Sequence, residues 1–188
     1  FLDELLSTDQ PTATLKLPFL TFVYTFKQSR KGKDVSFYRP RLQVLRARIL
    51  SRLGDDTGAI AMAAAAEKLC DPCISVAPAY AVMLARAGKY TEAIEVLDRV
   101  EGRVHEKPID NTREHIEKAF AAHAASLEAT GPKAIQQRAI ELSTLELWGR
   151  AYDVLAPHEA EITHAPNAAM GFAELALRAG HPDVARRV

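Results

Sequence analysis

The chain has 188 residues, of which 48% are apolar and 26% are charged, and its formal net charge at pH 7 is zero. These values are those of a folded protein with a buried core, and they exclude a disordered chain. The longest apolar run, residues 15–26, is too short for a membrane-spanning helix of about 20 residues, so we expect no membrane contact.

Basic residues are concentrated in one segment. Residues 27–52 hold nine Lys and Arg against one Asp, a net charge of +8, and the rest of the chain carries −8. Such a split is typical of a surface that contacts an anionic partner, although a merely solvated basic face is the common alternative. A nucleic-acid surface, with Phe37 and Tyr38 as stacking residues, is disfavoured because the acidic remainder would repel phosphates.

Residues 1–38 form an N-terminal segment that precedes the helical repeats. Residues 1–7 are a short helical candidate, and residues 27–34 are a basic loop. The aromatic and β-branched residues of 15–26 favour a strand, yet so short a run can equally be a buried helix. We predict a helix there, packed against the first repeat.

The chain from residue 39 onwards is predicted to be helical, because it is rich in alanine and poor in β-branched residues. Apolar residues at spacings of three and four indicate a first amphipathic helix that starts at Pro40 and ends at Gly54. They are Leu42, Leu45, Ile49, Leu50 and Leu53. The stretch 74–100 is predicted to form two further helices joined by a turn at Gly88.

Two similar turns, RLGDDTGAIAM around Gly54 and RAGKYTEAIEV around Gly88, recur at a period of about 34 residues. An Ala follows each glycine five residues later, at Ala59 and Ala93. This pattern resembles the tetratricopeptide repeat, a family of helical hairpins with that period. The small residues Ala47 and Ala81, together with Tyr90 and Pro72, also match the family, whereas its Trp is replaced by Gln43 and Ala77.

The resemblance implies an all-α fold, a right-handed α-solenoid of antiparallel helical hairpins over residues 39–188. We place the hairpins at about 40–73, 74–107, 133–165 and, in part, 166–188. Further turns are predicted at Gly149 and Gly180, and Pro157 should break a helix. Helix 112–129 is left over, either as an insertion or as a first helix whose partner was reused.

In this family the first helices of successive hairpins line a concave groove that binds peptides. Carried over to this chain, the resemblance implies a partner-binding groove, which the guanidinium groups would make selective for carboxylates. The groove residues would be Arg41, Val44, Arg48, Ser51, Arg52, Ser75, Pro78, Val82, Ala85 and Arg86.

The sequence predicts no catalytic residues, no metal site and no cofactor. Cys70 and Cys73 form a C-x-x-C in a helix–helix turn, without the strand of a redox site or the further ligands of a zinc site. The six histidines lack the i, i+4 spacing of a helical metal site. We therefore expect a non-enzymatic, cytoplasmic protein.

The preferred function is a scaffold that binds a protein or peptide segment of acidic character. The alternative is an accessory or oligomerisation module of a larger bacterial enzyme, such as a glycosyl- or sulfotransferase. The missing initial Met and a helical pattern that runs to Val188 favour a fragment of a longer polypeptide. Such an open terminal repeat also suggests a homo-oligomer.

Overall fold

The computed structural model describes residues 12–17, 20–25, 38–69, 76–101 and 107–188. Cys70, Cys73, Ser75 and the predicted helix at 1–7 therefore lie outside the described residues. The described elements are strands β1 (Thr12–Leu17) and β2 (Leu20–Thr25) and helices α1 (Tyr38–Arg52), α2 (Asp56–Leu69), α3 (Ala77–Arg86), α4 (Tyr90–Glu101), α5 (Lys107–Glu128), α6 (Pro132–Thr144), α7 (Trp148–Leu155), α8 (Glu159–Ile162), α9 (Pro166–Ala179) and α10 (Pro182–Arg187).

The chain divides into two compact units. The first comprises residues 1–83 and 96–105, and the second comprises residues 84–95 and 106–188. From Tyr38 onwards the regular elements of the described residues are all helical, and several helices that follow one another in sequence pack together, such as α1 with α2, α5 with α6 and α6 with α7. Within this described part of the chain, no helix combines the length and apolarity needed to cross a bilayer.

The helix predicted over residues 15–26 is wrong. Strands β1 and β2 instead pair as an antiparallel hairpin, in a register that joins Thr12 to Thr25 and Leu17 to Leu20. The aromatic and β-branched residues of LTFVYT explain the difference, because such side chains favour the extended backbone of a strand.

Helices α1 and α2 pack against each other in the first unit, as predicted. The close approach depends on small residues, since Ala47, Ala59 and Ala63 are fully or almost fully buried in one cluster with Met83. Asp55 immediately precedes α2 and caps its N-terminus, since its side-chain Oδ1 accepts a hydrogen bond from the backbone N–H of Gly58 at 2.8 Å. The first predicted hairpin is thus confirmed as a packed helix pair.

The turn predicted at Gly88 is also confirmed. It lies between α3 and α4, and it has the same hydrogen bonds as the turn at Gly54. In each turn the glycine N–H donates to the carbonyl three residues earlier, and the next N–H donates to the carbonyl five residues before it. Both glycines have a positive φ, +86° at Gly54 and +79° at Gly88, which is the reason for glycine at these sites.

The turn predicted at Gly149 is wrong. Gly149 lies inside α7, and the turn falls at Glu146, which has a φ of +58°. Glu146 donates to the carbonyl of Ser143 and Leu147 to that of Leu142, as in the two turns above. The sequence predicted the wrong position for the turn because the residue with left-handed backbone conformation is usually glycine, and here it is glutamate.

The corrected turn restores a regular period. Gly180 ends α9 with the same pair of hydrogen bonds, and the interval from Glu146 to Gly180 equals the interval from Gly54 to Gly88. An alanine lies seven residues before and five residues after each of the four turns. These alanines are Ala47, Ala81, Ala139 and Ala173 before the turns, and Ala59, Ala93, Ala151 and Ala185 after them.

Helix α5 begins at Lys107, five residues before the predicted start, and packs against α6 in the second unit. The helix that the sequence left unpaired therefore has a partner. Pro157 breaks the helical run as predicted, since α7 ends at Leu155 and a short 3-10 turn leads to α8. The core of this unit includes Leu142, Ala151 and Leu175, with Phe172 and Ala176 in an adjoining cluster.

Candidate functional site

Helix α1 has a buried face and an arginine-rich exposed face. Val44, Ala47 and Ser51 are buried, whereas Arg41, Arg48 and Arg52 are exposed. The three arginines are separated by seven and four residues, so they lie along one stripe of the helix. The segment with the highest positive charge in the sequence therefore presents part of that charge on a single helix face.

Arg48 and Arg52 have no hydrogen bond or ion pair with any described residue. Elsewhere in the described part of the chain, several exposed guanidinium groups do have carboxylate partners, such as Arg99 with Glu67 at 3.0 Å and Arg187 with Glu159 at 2.8 Å. Two neighbouring cations that lack a counter-ion repel each other and attract anions. This local field is the electrostatic feature that distinguishes α1.

The other predicted groove residues lie in different surroundings. Val44 belongs to a core cluster with Ala66 and Val76, and Ala85 is fully buried. Pro78 is half-buried, and Val82 packs against the cluster around Met83. Of the predicted residues on α1, the arginines are thus the ones whose side chains are open to solvent.

Arg86 is held inside the second unit. Its Nε donates to the carbonyl of Leu145 at 2.9 Å, and its Nη2 lies 3.6 Å from a carboxylate oxygen of Glu146. Only 8% of the Arg86 side chain is exposed. This arginine therefore braces the turn at Glu146, a role that sequence reasoning missed because the turn itself was misplaced.

An apolar stripe lies beside the arginines on α1. Leu45, Ile49 and Leu53 follow one another at intervals of four residues and are 47%, 42% and 77% exposed. Helical geometry places this stripe next to the one formed by Arg41, Arg48 and Arg52. The apolar positions that indicated an amphipathic helix in the sequence thus do not all coincide with its buried face. Their exposure could not be foreseen, because a pattern alone does not say what covers it.

A buried polar network lies in the second unit. The hydroxyl of Tyr90 donates to Glu141 Oε1 at 2.5 Å, and Arg138 Nη1 donates to Glu141 Oε2 at 2.5 Å. Glu141 is 2% exposed, so these two hydrogen bonds replace the hydration that its carboxylate loses on burial. Burial, and then the hydrogen bond to Glu141, raise the pKa of the Tyr90 hydroxyl. Tyr90 therefore remains a protonated donor throughout the physiological range.

Two residues of α5 complete the surroundings of Tyr90. The ring of Phe120 stacks on it at a centroid distance of 5.1 Å, and His123 lies at 5.4 Å. His123 Nδ1 is 3.2 Å from Glu141 Oε1, but the geometry does not make a hydrogen bond. The network joins α4, α5 and α6, and we interpret it as structural.

The raised pKa of Tyr90 predicts a loss of stability at alkaline pH. Above the ordinary tyrosine pKa of about 10, the unfolded chain releases this proton and the folded chain keeps it. The free energy of unfolding should then fall by about 1.4 kcal/mol per pH unit through this group. Denaturant unfolding between about pH 9 and 12 should give a shallower decline for Tyr90→Phe than for the wild type. Parallel declines would show that Tyr90 titrates normally.

A pocket of about 390 Å³ opens in the second unit. Apolar side chains form most of its lining, including Ile135, Leu155, Ile162 and Phe172, and His158 and Glu161 are its titratable residues. Its size lies within the range of small-molecule sites. No sequence motif indicated this pocket, because its residues come from four separate α-helices and the 3-10 turn that precedes α8.

Within the described ranges, no group of three or more His, Cys, Asp or Glu residues is arranged to hold a metal ion. Comparisons with protein-family models, with curated proteins and with solved structures found no match.

Proposed function

We propose that the chain is a non-catalytic scaffold that binds an acidic segment of another protein through the arginine face of α1. In this proposal the helices form a right-handed solenoid of tetratricopeptide-like hairpins. The observation that carries the function is the pair Arg48 and Arg52, exposed on one helix face without a counter-ion among the described residues.

The recurring turn supports the repeat part of the proposal. Four turns with the same hydrogen bonds occur at Gly54, Gly88, Glu146 and Gly180. The first two and the last two have the same spacing in the sequence, and the long helix α5 occupies the interval between these pairs. Alanines at fixed distances from each turn allow the close helix packing that stacked hairpins require.

The chemistry of arginine supports the choice of an acidic partner. A guanidinium group can donate two parallel hydrogen bonds to one carboxylate, and it is more weakly hydrated than an ammonium group. A single exposed ion pair contributes only about 0–1 kcal/mol. Several carboxylates that engage Arg41, Arg48 and Arg52 together would be needed for specific binding.

The experiment compares two charge-reversed variants of the chain in their affinity for the same binding partners. Proteins captured by the wild-type chain are purified, and their dissociation constants are measured for Arg48→Glu/Arg52→Glu and for Lys118→Glu/Lys133→Glu. Both variants change the net charge equally, and Lys118 and Lys133 are exposed on α5 and α6. We expect the arginine variant to weaken binding by about 30-fold or more and the lysine variant to change it by less than about threefold. Equal affinities of every captured partner for the two variants would contradict the proposal.

A further inference from the structure

We infer that the partner of this face is an acidic amphipathic helix, which lays an apolar stripe along Leu45, Ile49 and Leu53 while its carboxylates meet the arginines. This inference rests on the proposed function, and it specifies the form and the chemistry of the segment that binds.

The first argument is the shape of the apolar surface. The three side chains form one row along α1 and the residue that follows it, Leu53, which is 77% exposed and whose N–H still donates to the carbonyl of Ile49. At a rise of about 1.5 Å per residue the row is about 12 Å long, close to the length that the i, i+4, i+7 anchors of an amphipathic helix span. An extended peptide would present alternate side chains to opposite sides and would cover such a row less completely.

The second argument is charge complementarity. The apolar row has Arg41, Arg48 and Arg52 along one edge. A helix with Leu or Ile on one stripe and Glu or Asp on the adjoining stripe would match both rows at the same time. A neutral amphipathic helix would leave Arg48 and Arg52 without a counter-ion in a surface that binding partly dehydrates.

Other occupants fit these observations less well. A nucleic acid would meet the arginines but leave the three aliphatic side chains uncovered, and the row has no aromatic residue for stacking. An anionic membrane would need a deeper apolar face than a row whose first two side chains are only 47% and 42% exposed. A second copy of this chain remains an outcome of the test.

The test uses three fluorescent 18-residue peptides and the full chain. The first is a helix-forming peptide with leucines at i, i+4, i+7 and i+11 and glutamates along the adjoining stripe. The second has the same composition in scrambled order, and the third replaces every leucine by serine. Fluorescence anisotropy should show the first peptide bound at least about tenfold more tightly than the other two.

Two variants locate the binding. Ile49→Gln should remove most of the advantage of the first peptide, whereas the matched control Met170→Gln, on α9 and 70% exposed, should not. Arg48→Glu/Arg52→Glu should weaken all acidic peptides. Circular dichroism of each variant checks that its helix content is unchanged.

The outcomes separate this inference from the proposed function. If the scrambled and serine peptides bind as tightly as the first and the binding of all three depends on Arg48 and Arg52, the partner is not recognised as an amphipathic helix. The proposal that the chain binds an acidic segment would then still hold. If no peptide binding depends on Arg48 and Arg52, both fail. The inference would also be overturned if the chain bound a labelled oligonucleotide or anionic vesicles more tightly than it binds the first peptide. Dimerisation of the chain that Ile49→Gln abolishes would overturn it as well. So would a gain in peptide affinity on Asp3→Lys/Glu4→Lys, because the occupant would then be the acidic N-terminus of the chain itself.

Discussion

Replacing Arg138 by Gln is expected to lower the free energy of unfolding by about 2–3 kcal/mol at neutral pH. The reason is the buried carboxylate of Glu141, which would lose the cation that contacts its Oε2 and keep only the hydroxyl of Tyr90. Breaking a buried ion pair costs about 3–5 kcal/mol, and the cost should be smaller here because 45% of the Arg138 side chain is exposed.

The double variant Arg138→Gln/Glu141→Gln should recover most of this loss. Two neutral amides remove the buried charge, and replacing both members of a buried pair is often nearly neutral. Lys89→Gln is the matched control, since Lys89 and Glu92 form an exposed pair and should contribute less than about 0.5 kcal/mol. Chemical denaturation measures all three changes. A cost below about 0.5 kcal/mol for Arg138→Gln alone would show that the network does not stabilise the second unit.

Replacing Ala151 by Leu is expected to cost about 3 kcal/mol, the upper part of the range for inserting methylenes into a packed core. Ala151 is fully buried in one cluster with Leu142 and Leu175, and it lies five residues after the turn at Glu146. A side chain with three more carbons has no space between these helices unless they move apart.

Ala124→Leu is the control for this substitution. Ala124 lies on the exposed side of α5, where Leu has nearly the helix propensity of Ala. The change there should stay within about 0.5 kcal/mol. Thermal unfolding of the two variants provides the comparison. Equal melting temperatures would contradict the claim that Ala151 is closely packed between helices.

The sequence predicted the helices and their turns where local chemistry determines them. Gly54, Gly88 and Gly180 ended helices as expected, because glycine is the residue that most readily adopts a positive φ. Glu146 adopts the same conformation, and nothing in its chemistry indicates this. The position of this turn is evident only from its hydrogen bonds, in which the carbonyls of Ser143 and Leu142 accept the backbone N–H groups of the turn.

The candidate site was predicted in part, for a similar reason. The stripe of Arg41, Arg48 and Arg52 followed from charge and helical spacing alone, and the structure places all three in solvent. Burial could not be predicted, since it depends on which helices pack against α1 and α3. Val44 and Ala85 are therefore in the core although the resemblance placed them in a groove.

Contacts between distant residues were the least accessible to sequence reasoning. Arg86 bonds to the carbonyl of Leu145, and Tyr90 bonds to Glu141, each between helices far apart in the sequence. Glu141 looks like an ordinary helix-surface residue in the sequence. Only the packing of α4, α5 and α6 shows that it is a buried carboxylate.

The most direct test of the proposed function is one ratio of dissociation constants. It compares Arg48→Glu/Arg52→Glu with Lys118→Glu/Lys133→Glu for the same acidic partner at an ionic strength of about 0.15 M. We predict a ratio of about 10 or more, which should shrink as salt is raised because exposed charges are screened. A ratio near one would contradict the claim that the arginine face of α1 binds an acidic segment.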